Sequence, residues 1–246
     1  MAIVGIIPAR YASTRLPGKP LLADTGRPLI THVMDAAKRA TRLTRIIVAT
    51  DDLRILEAVR AHGGEAVMTR ADHPSGTDRV AEVAAAIDDA EIIVNLQGDE
   101  PEVAGATLDM VAALLLDDPG VPMATIATPI RDADVYHDPS CVKVVRSLSG
   151  RALYFSRSPI PYVRDGGYQP SAAFLHLGLY AYRRDFLLGL AKLPPSPLEG
   201  LEKLEQLRVL EAGYPIAVGI VDEPSVGIDT PEDYSRFVER WRLGNP

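Results

Sequence analysis

Short runs of Val, Ile and Leu alternate along this chain with longer stretches whose apolar residues recur at helical spacing. That alternation constrains the fold more than any other feature. The apolar runs lie at residues 3–7, 46–50, 66–68, 92–96, 123–128, 142–146, 175–182 and 216–220. Several are almost unbroken in β-branched and aliphatic side chains, the pattern of strands covered on both faces. Helical patterns fall at about residues 29–41, 52–62, 76–89, 103–116, 184–192, 201–212 and 231–241. A repeated strand–helix order predicts an α/β fold with a mostly parallel central sheet and helices on both faces.

Residues 120–175 break the rhythm. They are richer in Pro, Tyr and Ser and have no long helical pattern. We read them as a β-rich subdomain within a single domain of residues 1–246. The Pro-rich stretch at 193–200 reads as a loop before the helix at 201–212.

Charge and cysteine content exclude several classes. The formal net charge of −7 argues against a nucleic-acid binder. Residues 1–45, however, hold eight Lys/Arg against two Asp, so a segment of +6 precedes a remainder of −13. A single basic segment in an acidic chain points to a local site for a small anion. Cys141 is the one cysteine, which rules out a disulfide framework and fits a reducing, cytoplasmic setting. It reads as a small buried apolar side chain. The opening apolar stretch has no basic segment before it and reads as a strand, not a leader. No apolar run is long enough to span a membrane.

In open α/β sheets ligands bind beyond the carboxyl ends of the strands, so the polar residues there carry the argument. After the first strand comes Ile7-Pro-Ala-Arg-Tyr-Ala-Ser-Thr-Arg-Leu-Pro-Gly-Lys. Neither a GxGxxG fingerprint nor a Walker A lysine motif is present, which disfavours a dinucleotide-dependent oxidoreductase. Arg10, Arg15 and Lys19 instead offer a triphosphate guanidinium forks and an ammonium. After the fourth strand, Asn95-Leu-Gln-Gly-Asp-Glu-Pro puts Asp99, a hard oxygen ligand, beside Gly98. Thr230, Pro231 and Asp233 follow an N-cap, N1 and N3 pattern, leaving Asp229 just outside the helix. Ser75 and Asp78, in His73-Pro-Ser-Gly-Thr-Asp-Arg, form a similar helix start. Strand alternation sets His176, Gly178, Tyr180 and Tyr182 on one face. Leucines 201, 204, 207 and 210 make a helical stripe, with Glu205 and Gln206 off it on a solvated face. Each segment taken singly also reads as an ordinary turn, cap or surface.

Together these segments resemble the CMP-KDO synthetases, the 3-deoxy-manno-octulosonate cytidylyltransferases. The resemblance runs in order from residue 3 to about 237 through IPARYASTRLPGKPL, HPSGTDR, NLQGDEP, YFSRSPIPY, HLGLYAYRR, LEKLEQLRVLE and GIDTPEDY. It implies a Rossmann-like, glycosyltransferase-A-like nucleotidyltransferase fold with a β-rich dimerisation insertion. The implied reaction joins CMP from CTP to KDO and releases pyrophosphate, feeding lipopolysaccharide synthesis. The alternative is a cytidylyltransferase for another acidic sugar, such as an amino-substituted octulosonate or a sialic acid. A non-catalytic nucleotide sensor would not need the paired carboxylates and the sugar-side set.

Carried over position by position, the resemblance assigns Ala9, Arg10, Ser13, Arg15, Lys19, Ser75, Gly76, Thr77, Arg79 and Gln97 to CTP. Gln97, Arg157, His176, Tyr182, Glu205 and Gln206 are assigned to the sugar, with Arg157 gripping its carboxylate. Asp99 and Asp229 would hold Mg²⁺, and with Arg15 and Lys19 they form the implied catalytic set. The implied partners are CTP, KDO and a second copy of the chain in a homodimer; no nucleic acid or membrane partner is expected.

Overall fold

The computed structural model describes residues 2–12, 16–164, 166, 169 and 173–244. Ser13 and Arg15, both assigned above to CTP, lie outside the described residues. The chain divides into two compact units, one of residues 1–109 and 225–246, the other of residues 110–224.

In chain order the elements are β1 (Ala2–Ala9), α1 (Leu29–Ala37), β2 (Arg45–Thr50), α2 (Leu53–Ala61), β3 (Glu65–Met68), α3 (Gly76–Ala85) and β4 (Ala90–Asn95). Then come α4 (Gly105–Asp117), β5 (Met123–Pro129), α5 (Ala133–His137), β6 (Lys143–Arg146), β7 (Ala152–Ser156) and β8 (Phe174–Arg183). The chain ends with α6 (Arg184–Leu190), α7 (Pro197–Glu202), α8 (Gln206–Glu211), β9 (Ile216–Ile220) and α9 (Pro231–Arg242).

The first unit carries a wholly parallel run of strands, ordered β3-β2-β1-β4. Neighbouring strand residues point to opposite faces, so the unbroken burial of residues 3–7 in β1 means both faces are covered. The apolar pattern of the sequence required this. Leu29, Ile30 and Val33 of α1 are completely buried. Leu16, Leu29, Ile228, Tyr234, Phe237 and Val238 form a separate cluster that anchors α9.

The second unit is mixed. β5 runs parallel to β9 and antiparallel to β8, and β6 pairs antiparallel with β7 and β8. Opposite the step from Thr125 to Ile126, β8 advances from Tyr180 back to Leu177, so Gly178 and Leu179 bulge from the ladder. The α/β class with mostly parallel pairing is as expected from the sequence; the antiparallel pairs join strands of the segment that lacked helical pattern, β5, β6 and β7, to one another and to β8.

Four local readings are corrected. The helix expected over residues 201–212 is two helices, α7 and α8, because Lys203 takes a left-handed conformation (φ 55°) that ends the first. α7 also starts earlier, at Pro197, within the stretch read as a loop; Ser196 and Glu199 close a capping box there. The leucine stripe fails with the break. Leu201 is exposed while Gln206 is buried. Cys141 is half-buried, with its thiol 3.8 Å from the Asp138 carboxylate.

Candidate active site

β1 ends at Ala9, and the chain turns back through Gly18 into a short 3-10 turn at Lys19–Leu21. Gly18 has φ 67°, a conformation that costs a side-chain-bearing residue more, and its amide donates to the Tyr11 carbonyl. Tyr11 in turn lies under the Arg54 guanidinium, 3.6 Å from ring centre to Cζ. β4 continues alongside β1 for one more residue, the Leu96 amide donating to the Ile6 carbonyl. The chain then presents Gln97, Gly98 and Asp99. A Cβ on Gly98 would sit 2.8 Å from the Pro8 carbonyl oxygen, so only glycine allows this approach.

The third segment arrives from the far end of the sequence. The Ile228 amide donates to the Asp99 carbonyl over 2.9 Å. Thr230 and Asp233 form a reciprocal cap at the start of α9, and the Asp229 amide also donates to the Asp233 carboxylate. The cap accounts for Thr230, Pro231 and Asp233, whereas the Asp229 side chain reaches Lys19.

These three segments meet at Lys19. Its ammonium lies 2.6 Å from Asp99 Oδ2, 2.7 Å from the Ile228 carbonyl and 3.4 Å from Asp229 Oδ1. Around it is an open cavity of about 430 Å³ whose lining includes Ala9, Arg10, Gly76, Gln97, Asp99 and Asp229. Next to Asp99, Glu100 accepts from Ser225 Oγ, and burial together with the Asp99 charge pushes its pKa up to about 7 against that hydrogen bond.

The donor set fits a divalent cation. Two carboxylates reach one positively charged atom within 3.4 Å, and both are hard oxygen ligands. Among the described residues no group of three or more His, Cys, Asp or Glu could hold a metal. Such an ion would therefore complete its shell with phosphate oxygens and water, as magnesium commonly does.

The segment 73–79 is built around α3. Ser75 caps the helix, accepting from the Asp78 amide and donating to the Asp78 carboxylate. Gly76 lines the cavity. Arg79 is 4% exposed and donates to Thr69 Oγ1 and, at 3.0 Å, to Asp51. Its guanidinium thus ties α3 to the ends of β2 and β3. His73 pairs with Glu82 behind the same loop.

In the second unit, Arg157 follows β7. Its Nε donates to the Glu202 carbonyl at 2.7 Å and its Nη1 to the Pro139 carbonyl at 3.0 Å. Both bonds go to main-chain oxygens, so they orient the guanidinium without neutralising it with a carboxylate. The Glu202 carboxylate accepts instead from Ser156 Oγ and the Arg157 amide. Beneath them Lys143, fully buried, donates to the carbonyls of Asp138, Cys141 and Arg157. Burial lowers its pKa.

On β8, His176, Tyr180 and Tyr182 form a row of rings with centres 5.4 and 6.0 Å apart. Burial pushes the His176 pKa down to about 3, so the ring is neutral. The Tyr180 hydroxyl donates to Gln206 Oε1 at 3.3 Å, and burial, with the nearby Glu205 charge, raises its pKa. Gln206 Nε2 is buried with no hydrogen-bond partner among the described residues. Glu205 is exposed at the start of α8. Tyr180, which is not among the residues assigned to the sugar from the sequence, lies between His176 and Tyr182 and bonds to Gln206, on the face where strand alternation sets it. The Ile228 carbonyl had no signal, because a main-chain oxygen carries no residue type.

Known proteins resemble this chain over almost its whole length. Residues 4–219 match the family model described as Cytidylyltransferase. A 3-deoxy-manno-octulosonate cytidylyltransferase from Syntrophobacter fumaroxidans is 53% identical over 240 residues, covering 97% of this chain and 96% of that protein. One from Syntrophotalea carbinolica is 51% identical, covering 98% and 99%. A solved CMP:2-keto-3-deoxy-manno-octonic acid synthetase complexed with CTP superposes with a TM-score of 0.94 at 44% identity, covering 99% of this chain and all of that one.

Proposed function

Since this chain belongs to the 3-deoxy-manno-octulosonate cytidylyltransferases, we propose that it transfers CMP from CTP to KDO with release of pyrophosphate. The observation that carries the reading is the convergence of Lys19, Asp99 and Asp229 on one cavity at the carboxyl ends of β1 and β4. That is where an open α/β sheet binds its ligand.

The reaction forms a bond from the anomeric oxygen of the sugar to the α-phosphorus and breaks the bond to the β-phosphate oxygen. No protein nucleophile is required, so catalysis rests on positioning and on charge offset. Arg10 and Lys19 offset the triphosphate, with Arg15 assigned to the same task from the sequence. Gly76 and Thr77, at the start of α3, would meet the nucleoside, and Gln97 both substrates. Arg79, bonded to Thr69 and Asp51, would hold that loop in place. Asp99 and Asp229 would hold Mg²⁺, which when bound would neutralise phosphate charge and acidify the attacking hydroxyl. Residues of the second unit recognise the sugar. Arg157, oriented by two carbonyls, would take the carboxylate, and His176, Tyr182, Glu205 and Gln206 the hydroxyls.

The exposed apolar side chains Leu148 and Leu153 around the β6–β7 turn support a homodimer built through the β-rich segment. No described helix is long and apolar enough to cross a membrane; a cytoplasmic setting is our reading of the single cysteine.

An isotope experiment tests the reaction. KDO labelled with ¹⁸O at its anomeric hydroxyl should give CMP-KDO carrying the label in the phosphate ester, with none in pyrophosphate. CMP-KDO formed from still-labelled KDO without the label in its phosphate ester, or label found in pyrophosphate, would contradict attack by the anomeric oxygen.

A further inference from the structure

Thr125 lies on β5 where β8 bulges, and its side chain is completely buried. Its Oγ1 is 2.8 Å from the Leu179 carbonyl and 3.2 Å from the Leu177 carbonyl. Both are acceptors only, so the single hydroxyl proton goes to them. The same oxygen is 3.0 Å from His176 Nε2. When the proton goes to the nearer carbonyl, that of Leu179, Thr125 accepts from Nε2, which then carries the hydrogen. His176 is neutral in this setting, so its other nitrogen, Nδ1, is left as an acceptor. An edge contact with Phe155 and a tilted contact with Tyr180, at 5.0 and 5.4 Å between ring centres, hold the imidazole in this orientation.

We propose that Thr125 is a positioning residue that locks His176 as the Nε2–H tautomer, so that Nδ1 accepts a hydrogen bond from a hydroxyl of the acidic sugar. The functional half of this proposal rests on the reading of His176 as a sugar contact; the tautomer half does not. The bulge is what makes the lock possible. It brings two β8 carbonyls to a single hydroxyl, and a residue without that hydroxyl leaves both carbonyls and Nε2–H without it.

The test combines ¹⁵N-resolved NMR of the histidine side chains with steady-state kinetics on the wild type, Thr125→Val and Thr125→Ser. In the wild type His176 should show a protonated Nε2 and an unprotonated Nδ1. Thr125→Val should lose that single tautomer and raise the KM for KDO roughly tenfold, the scale of one buried hydrogen bond, with the KM for CTP unchanged. Thr125→Ser should restore both. A wild-type spectrum with the proton on Nδ1 would overturn the proposal, even if Thr125→Val failed to fold. So would a Thr125→Val protein that keeps the Nε2–H tautomer. A changed tautomer with an unchanged KM for KDO would support the lock and overturn the role of His176 at the sugar.

Discussion

Lys19 donates to Asp99 over 2.6 Å although the two residues are 80 positions apart, and the same ammonium reaches Asp229, 210 positions away. The lysine thus occupies the place between two carboxylates where a divalent cation would be bound. It compensates their charge in the free protein. On the proposed reading, Asp99 and Asp229 would hold a metal ion, and the Lys19 ammonium would then be available to phosphate oxygens.

Asp99→Asn should lower kcat by about two to three orders of magnitude, the scale found for removing a charge-stabilising group from an active site. It should also shift the Mg²⁺ dependence to higher concentration. Initial rates across a magnesium titration check this. Full activity of the variant at low Mg²⁺ would remove Asp99 from the metal site.

Lys19→Met should lower kcat about a hundredfold while leaving the KM for KDO nearly unchanged, because the lost charge acts on phosphate and not on sugar. The readout is a two-substrate kinetic matrix. A defect confined to the KM for KDO would move Lys19 out of the phosphate site.

Arg157→Ala should raise the KM for KDO by about ten- to a hundredfold, since hydrogen bonds to a charged partner contribute roughly 1.5–3 kcal/mol. The KM for CTP should hold. Titration with each substrate in turn separates the two, and unchanged constants for KDO would exclude Arg157 as the carboxylate contact.

Gly98→Ala tests packing, not chemistry. The added carbon would meet the Pro8 carbonyl at 2.8 Å, and main chain cannot rotate away as a side chain can. A loss of about 1–3 kcal/mol is expected, as for other overpacked sites. Urea unfolding measures it, and a midpoint equal to the wild type would show that β1 and β4 separate more easily than their pairing implies.

The cap of α9 gives a pH dependence. The Thr230 hydroxyl and neighbouring amides hold the Asp233 carboxyl below its ordinary value. A carboxylate depressed in the folded state stabilises fully above its unfolded pKa, about 3.9, and this contribution is lost as pH falls through the folded value. Thr230→Ala should therefore cost about 1 kcal/mol at neutral pH, and the difference from wild type should shrink below about pH 4. Thermal melts of both proteins between neutral and acid pH follow it.

The parallel strands were legible because burial on both faces leaves an unbroken apolar run, as in β1 and β4. The cap at Thr230–Asp233 was legible because its chemistry is local. The break between α7 and α8 was not. Lys203 adopts φ 55° without the glycine that usually marks such a turn, and Leu204 and Leu207 on the far side kept the helical spacing intact. Lys19 and Asp99 could be named from the segments that follow β1 and β4, and Asp229 from its place just before the cap of α9. Their meeting at one atom could not, because it depends on long-range folding. Arg79 shows the limit of residue type. A guanidinium in the first turn of α3 looks the same in sequence whatever it is bonded to, and its bonds to Thr69 and Asp51 had no local signal.

The most direct test of the account is pyrophosphate release by the purified protein with Mg²⁺, comparing CTP, ATP, GTP and UTP, each with and without KDO. The account predicts release only when CTP, KDO and Mg²⁺ are present together. Release with CTP and a different acidic sugar, but not with KDO, would contradict the sugar assignment, and no release with any pair would contradict the catalytic reading itself.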